Sequence, residues 1–218
     1  MRTNIVKNTE HRHGSPATTG RVIHAAAGYD WLAWLLLLGR ERAFRERLVS
    51  LARLEPGQAV LDVGCGTGTL AIAASRRVGP TGRVHGIDAS PQMIARARRK
   101  AAKAGLDVAF AQGVVQQLPY EDGQFDAVLS TLMLHHLPVP AREQCVREIR
   151  RVLRPGGRVL AVDFGSPANG RRGVLGHLHG HGGVEVREIR ELLGGAGFQI
   201  VESGPVGFKA MNFVLGLA

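Results

Sequence analysis

The chain of 218 residues is short of acids, aromatics and cysteine. It has 18 Asp and Glu against 28 Lys and Arg, which leaves a formal charge of +10. A basic balance of this kind attracts nucleic acid, anionic membrane or acidic small molecules. The arginines fall into groups: Arg40, Arg42, Arg45 and Arg47; Arg96, Arg98 and Arg99; Arg147, Arg150 and Arg151. Aromatics make up 5% of the chain and do not interleave with these groups, which argues against a stacking platform for single-stranded nucleic acid. The groups read as solvated helix faces, with a functional anion-binding surface as the alternative. The two cysteines, Cys65 and Cys145, lie far apart and suggest no disulfide framework. A reducing, cytoplasmic compartment is the expectation. No apolar stretch follows the first basic residues, so no signal peptide is expected. The most apolar run, residues 31–38, is far too short to cross a bilayer. No G-x-S-x-G turn is present, which disfavours a serine hydrolase.

What is present is a regular alternation. Hydrophobic pattern and turn residues predict strands over 59–63, 84–88, 108–112, 125–130 and 158–164. Between and around them they predict helices over 42–54, 69–77, 91–104, 141–153 and 185–194, then strands over 198–202 and 209–215. Strands alternating with helices imply a parallel sheet covered on both faces. Ser90 followed by Pro91 is a helix-start signal. Residues 1–19 are polar and read as a mobile tail. Residues 21–44 read as helix, with a break at Gly39 and with Trp31, Trp34, Leu35 and Leu38 on one face. That face suits packing on the domain, a cover over an apolar ligand, or peripheral contact with a membrane surface.

The alternation is organised around Val60-Leu61-Asp62-Val63-Gly64-Cys65-Gly66-Thr67-Gly68. Gly64, Gly66 and Gly68 let the chain turn through unusual backbone angles without bulk. A ligand can then lie against bare backbone near a helix start. The spacing differs from the G-x-G-x-x-G of dinucleotide sites. Asp62 beside the glycines would repel phosphate and suits a ligand with a cationic or amino group. One strand–helix–strand unit later comes Asp88, the expected distance for an acid that accepts hydrogen bonds from a ribose hydroxyl pair. The same residue also suits a turn or cap before Ser90.

These residues resemble motif I and the ribose acid of class I S-adenosylmethionine-dependent methyltransferases. The resemblance extends from about residue 48 to 164. Leu118-Pro119-Tyr120-Glu121-Asp122-Gly123-Gln124-Phe125-Asp126 and Arg154-Pro155-Gly156-Gly157-Arg158 look like the small-molecule subgroup that includes ubiquinone/menaquinone-biosynthesis enzymes. The resemblance implies a Rossmann-like doubly wound sheet of seven strands, mostly parallel with an antiparallel C-terminal strand, plus N-terminal helices. It implies a methyltransferase domain over 56–218, preceded by a helical lid or packing segment over 20–55. S-adenosylmethionine would be the cofactor, S-adenosylhomocysteine the product, and a small molecule, aromatic or quinone-like, the methyl acceptor. The implied cofactor residues are Asp62, Gly64, Cys65, Gly66, Gly68, Asp88, Ala89, Met93, Gly113, Val114, Val115 and Leu134. Relatives commonly carry Gly-Asp-Ala after the third strand, where the aspartate accepts a bond from the adenine amine. Here Val114 replaces that acid. A non-catalytic nucleoside-binding or interaction protein on the same fold is therefore an alternative. A nucleic-acid or protein methyltransferase is another, disfavoured because no Asn/Asp-Pro-Pro-aromatic tetrapeptide is present.

His135 and His136 follow the fourth strand and Asp163 ends the fifth, so all three are expected at the ligand crevice. They suit substrate orientation or proton removal, or else a structural role. His177, His179 and His181 form an alternating set between glycines, without a nearby cysteine or acid in register. A loop on the substrate side suits them better than a metal site, and no metal is expected.

Overall fold

The computed structural model describes residues 40–165, 184–208 and 211–218. The expected helix before Gly39 and the His177/His179/His181 segment lie outside the described residues. The elements run in chain order as α1 (Glu41–Leu51), β1 (Ala59–Val63), α2 (Thr69–Val78), β2 (Arg83–Asp88), α3 (Pro91–Lys103) and β3 (Ala109–Gln112). There follow β4 (Phe125–Thr131), a 3-10 turn (Leu134–His136), α4 (Val139–Val152), β5 (Leu153–Phe164), α5 (Val186–Gly195), β6 (Gln199–Pro205) and β7 (Met211–Leu217).

The strands form one seven-stranded sheet in the order β3-β2-β1-β4-β5-β7-β6. β1 pairs in parallel with both β2 and β4, and β7 runs antiparallel to its neighbours β5 and β6. The order reverses between β1 and β4. In an open α/β sheet that reversal opens a crevice at the carboxyl ends of the strands, because the flanking connections diverge to opposite faces.

The period-two pattern of the strands divides the core into two layers. Val60, Leu129, Leu160 and Val162 pack with Phe44 and Leu48 of α1, Leu70 and Ala71 of α2, and Ala97 of α3. Leu61, Val63, Val128 and Val159 pack with Cys145 and Ile149 of α4 and Ile189 and Leu193 of α5. Both cysteines are free and buried. Among the described residues no helix is long and apolar enough to cross a membrane.

Local signals set most boundaries. Pro91 occupies the first turn of α3, and the Ser90 hydroxyl accepts a bond from the Met93 N–H at 3.3 Å. Gly105, at φ +64°, ends that helix by turning left-handed. β5 starts five residues earlier than Arg158, because Leu153 pairs with Phe125 across an irregularity in the β4 register. That pairing is long-range, so helix-forming local sequence around Leu153 gave no hint of it.

Ser90→Ala should destabilise the fold by about 1 kcal/mol, read from the urea midpoint, while Ser90→Thr should restore most of it. An unchanged midpoint for Ser90→Ala would show that the hydroxyl contributes nothing as a cap.

Candidate active site

The glycine turn leaves β1 at the crevice and enters α2. Gly64, Gly66 and Gly68 all adopt positive φ, at 68°, 54° and 77°. A Cβ on Gly64 would stand 2.4 Å from Met133 Cγ, and one on Gly68 would stand 2.7 Å from Phe110 Cζ. Both positions therefore exclude a side chain by contact as well as by backbone angle. Cys65 fits between them; its N–H donates to Ile87 O at 3.0 Å, and its thiol is buried, which raises its pKa well above the ordinary value.

Asp88 ties this turn to the next helix. Its Oδ2 accepts from the Gly66 N–H at 2.9 Å and its Oδ1 from the Ser90 N–H at 2.9 Å. Its main-chain carbonyl accepts from the Gly113 N–H at 3.0 Å, which brings in the end of β3. Burial raises its pKa, and the bonds from Ser90 and Gly66 oppose the rise. Each carboxylate oxygen can accept more than one bond, so acceptor capacity remains for a ligand.

Asp62 is 2% exposed, and its Oδ2 has no hydrogen-bond partner. Burial pushes its pKa up to about 7; the Arg45 guanidinium and the Ala71 N–H pull it down, and Asp88 adds to the rise. Arg45 thus departs from the solvated-face expectation for its group. It sits on α1, next to Phe44 in the core, with 14% of its side chain exposed and its Nε unpartnered. Its ion pair with Glu41 is a loose 3.4 Å. Sequence reading missed it because helical spacing alone does not say which flank of an amphipathic helix tilts toward a strand end.

On the other side of the crevice β4 and β5 end. Leu132 follows β4 at φ +54°, a costly angle for a γ-branched residue, and its N–H donates to Val162 O at 2.8 Å. This kink sends Met133 against Gly64 and starts the 3-10 turn. Asp163, fully buried, accepts from the His135 N–H at 3.1 Å and from the Phe164 N–H at 2.8 Å. Its Oδ1 also lies 2.7 Å from His135 Nδ1. That pairing favours the tautomer with hydrogen on Nδ1, leaving Nε2 as an acceptor. The His136 ring lies 3.9 Å from that of His135, centroid to centroid. Arg142 Nε holds the turn from below, donating to Leu134 O at 2.9 Å and Leu137 O at 2.8 Å.

The structure gathers the expected residues of β1, β2, β3 and β4 along one crevice, with different fates for their side chains. Ala89 and Val114 are half-buried and Met93 is buried. The Val115 and Leu134 side chains belong to the core on the α4–α5 face. Two further hydroxyls, Ser130 Oγ and Thr131 Oγ1, are buried without partners at the end of β4. Bare glycine backbone, the carboxylates of Asp62 and Asp88 and unpartnered polar atoms fit a ligand with a hydroxyl pair and an ammonium group. Among the described residues no group of three or more His, Cys, Asp and Glu is arranged to hold a metal ion.

A family model described as a methyltransferase domain matches residues 60–157. The chain is 39% identical over 150 residues to a demethylmenaquinone methyltransferase of Thermus thermophilus, covering 69% of this chain and 67% of that protein. It is 36% identical over 143 residues to a 2-phytyl-1,4-naphtoquinone methyltransferase of Trichormus variabilis, covering 65% of this chain and 62% of that one. The chain thus spans about two thirds or less of these relatives' lengths. A crystal structure of a SAM-dependent methyltransferase from Aquifex aeolicus matches with a TM-score of 0.71 at 23% identity, covering 88% of this chain and 97% of that chain. The chain belongs to the class I S-adenosylmethionine-dependent methyltransferases.

Proposed function

We propose that the chain transfers a methyl group from S-adenosylmethionine to a small acceptor with an aromatic or quinone-like ring. The observation that carries this reading is the pair of carboxylates around the three-glycine turn, Asp88 half-buried and Asp62 buried with an unpartnered oxygen. The names of the two relatives, a demethylmenaquinone and a 2-phytyl-1,4-naphtoquinone methyltransferase, support the acceptor class. Two free, buried cysteines suit a cytoplasmic enzyme. The apolar sequence of residues 20–39 suits a cover over such an acceptor.

When bound, S-adenosylmethionine supplies a methyl carbon made electrophilic by its sulfonium sulfur. Asp88 accepts bonds from the ribose hydroxyls while keeping the Gly66 and Ser90 N–H groups in place. Asp62 receives the ammonium end, where its free oxygen finds a partner. Ala89 and Met93 pack against the adenine, and main-chain groups at Gly113, Val114 and Val115 read its edge. The site's residues would act chiefly by aligning the acceptor with that methyl carbon, and alignment would contribute most of the rate. His135, oriented by Asp163, takes a ring hydroxyl's proton through Nε2, which raises electron density at the attacking atom. His136 flanks that ring and orients the acceptor. A second reading, a nucleoside-binding protein without transfer activity, is favoured by Val114 alone, because its side chain accepts no bond from the adenine amine.

Titration calorimetry with S-adenosylmethionine and S-adenosylhomocysteine tests the site. Micromolar affinity is expected for both, with Asp88→Ala weakening it sharply on an intact fold. Val114→Asp should tighten binding by about 0.5–1.5 kcal/mol; a loss would mean that the adenine lies elsewhere.

Asp62 gives binding a pH dependence. With the site free, its proton is held with a pKa of about 7. Engagement of an ammonium group favours the carboxylate, so binding releases a proton. Affinity for S-adenosylhomocysteine should therefore rise between about pH 6 and about pH 8 and level off above. Asp62→Asn should flatten that profile, and a wild-type profile flat over the same range would remove Asp62 from the ammonium end.

His135→Gln should slow methylation of a 2-unsubstituted 1,4-naphthohydroquinone by about 100-fold and leave S-adenosylhomocysteine affinity unchanged. Equal losses in both would make the His135–Asp163 pair structural.

A further inference from the structure

We propose that the layer formed by α1, α2 and α3 is a docking face for an anionic phospholipid surface. The proposal stands apart from the reading of the crevice and rests on where charge falls in the fold. α2 and α3 carry Arg76, Arg77, Arg98, Arg99 and Lys103 among their basic residues and contain no Asp or Glu. Arg76, Arg77, Arg99 and Lys103 are exposed and form no ion pair among the described residues. The opposite layer behaves differently although it is equally rich in arginine. There Arg142 pairs with Glu188, Arg147 with Glu143, Arg151 with Glu148 and Arg187 with Glu191. A merely arginine-rich composition would load both layers alike; the carboxylates that neutralise one are missing from two helices of the other.

Topology concentrates these cations. α2 and α3 both return antiparallel to the strands on the same face of the sheet, so their last turns reach the same end of the layer. Beside them a cleft of about 980 Å³ opens between α1 and α2. Arg76 and Arg77 line it over the apolar side chains of Val49 and Ile72, and across it stand Arg42, paired with Glu46, and Arg53, paired with Glu202. A cationic rim over an apolar floor matches the phosphate and glycerol region of a phospholipid. The chain that enters α1 at Arg40 carries Trp31, Trp34 and Leu35 to Leu38, a composition suited to a membrane interface. Nucleic acid shares the phosphate chemistry, but no large aromatic on these three helices is exposed for base stacking.

Vesicle sedimentation of the full chain tests the proposal. The protein should pellet with vesicles of equal parts phosphatidylglycerol and phosphatidylcholine, stay in solution with phosphatidylcholine alone, and be released by high salt. Arg76→Glu with Arg77→Glu should lower binding to anionic vesicles about tenfold or more. Arg147→Glu with Arg187→Glu changes net charge by the same amount on the other layer and should lower it far less. Equal losses in the two double variants would overturn the assignment of the face. Failure of the wild type to pellet would overturn the proposal, with far-ultraviolet circular dichroism confirming a folded sample. Tighter binding to single-stranded DNA than to anionic vesicles at the same salt, lost in Arg76→Glu/Arg77→Glu, would overturn it in favour of nucleic acid.

Discussion

The crevice depends on a single half-buried carboxylate. Asp88 sits at the tip of β2 and spans two backbone N–H groups, Gly66 on one side and Ser90 on the other. Without that bridge, three alternate left-handed glycine positions would be free to sample other turns, because glycine offers little conformational preference of its own. The bridge sets the height of the glycine turn relative to the start of α3, and the main-chain bond from Gly113 adds the end of β3 to the same unit. Burying the carboxylate costs free energy that the two charge-assisted bonds offset. The acid therefore builds the cavity whether or not it also contacts a ribose, and its two readings from sequence are compatible.

The sheet separates two kinds of chemistry. Asp62 shares a strand face with Val60 and points toward the α1–α3 layer, where the Ala71 N–H bonds to it and the Arg45 charge lowers its pKa without pairing with it. Asp163 shares a face with Val159 and Ala161 and points toward the α4–α5 layer, where it is satisfied by main-chain N–H groups and His135. One acid keeps an unpartnered oxygen, and the other is fully engaged. That difference is why Asp62 suits a charged ligand group while Asp163 suits the orientation of a side chain. The strained Leu132 lies between them and turns β4 away from the sheet, so that Met133 closes on Gly64 and His135 reaches Asp163. The same division places several arginine–glutamate pairs on α4 and α5 and leaves, among the described residues, exposed cations without ion pairs on α2 and α3.

Much of the crevice was legible because its parts are local. The glycine turn, the acid one unit later and the Ser90-Pro91 start each rest on spacing within one strand–helix–strand unit. Arg45, Met133 and Arg142 were not legible. Each acts on a residue that is distant in sequence or across an element boundary, and each belongs to a type common on any helix or loop. Leu134 was expected to wall the methionine arm of the cofactor, and its side chain is buried on the α4–α5 face. Burial on a strand-end loop depends on which helix packs there, which periodicity does not report.

The sequence by itself determined the alternation of strands and helices, the two-layered core and the position of the glycine turn. Hydrophobic period, glycine backbone freedom and proline geometry are properties of neighbouring residues. Only the tertiary structure decided the strand order β3-β2-β1-β4-β5-β7-β6, and with it every contact across the crevice. His135 and Asp163 meet because β4 and β5 pair in register, and the Arg45 charge acts on Asp62 because α1 packs in the same core layer as β1. Such meetings turn on burial and on the cost of an unpartnered charge, which are set by the whole packed chain.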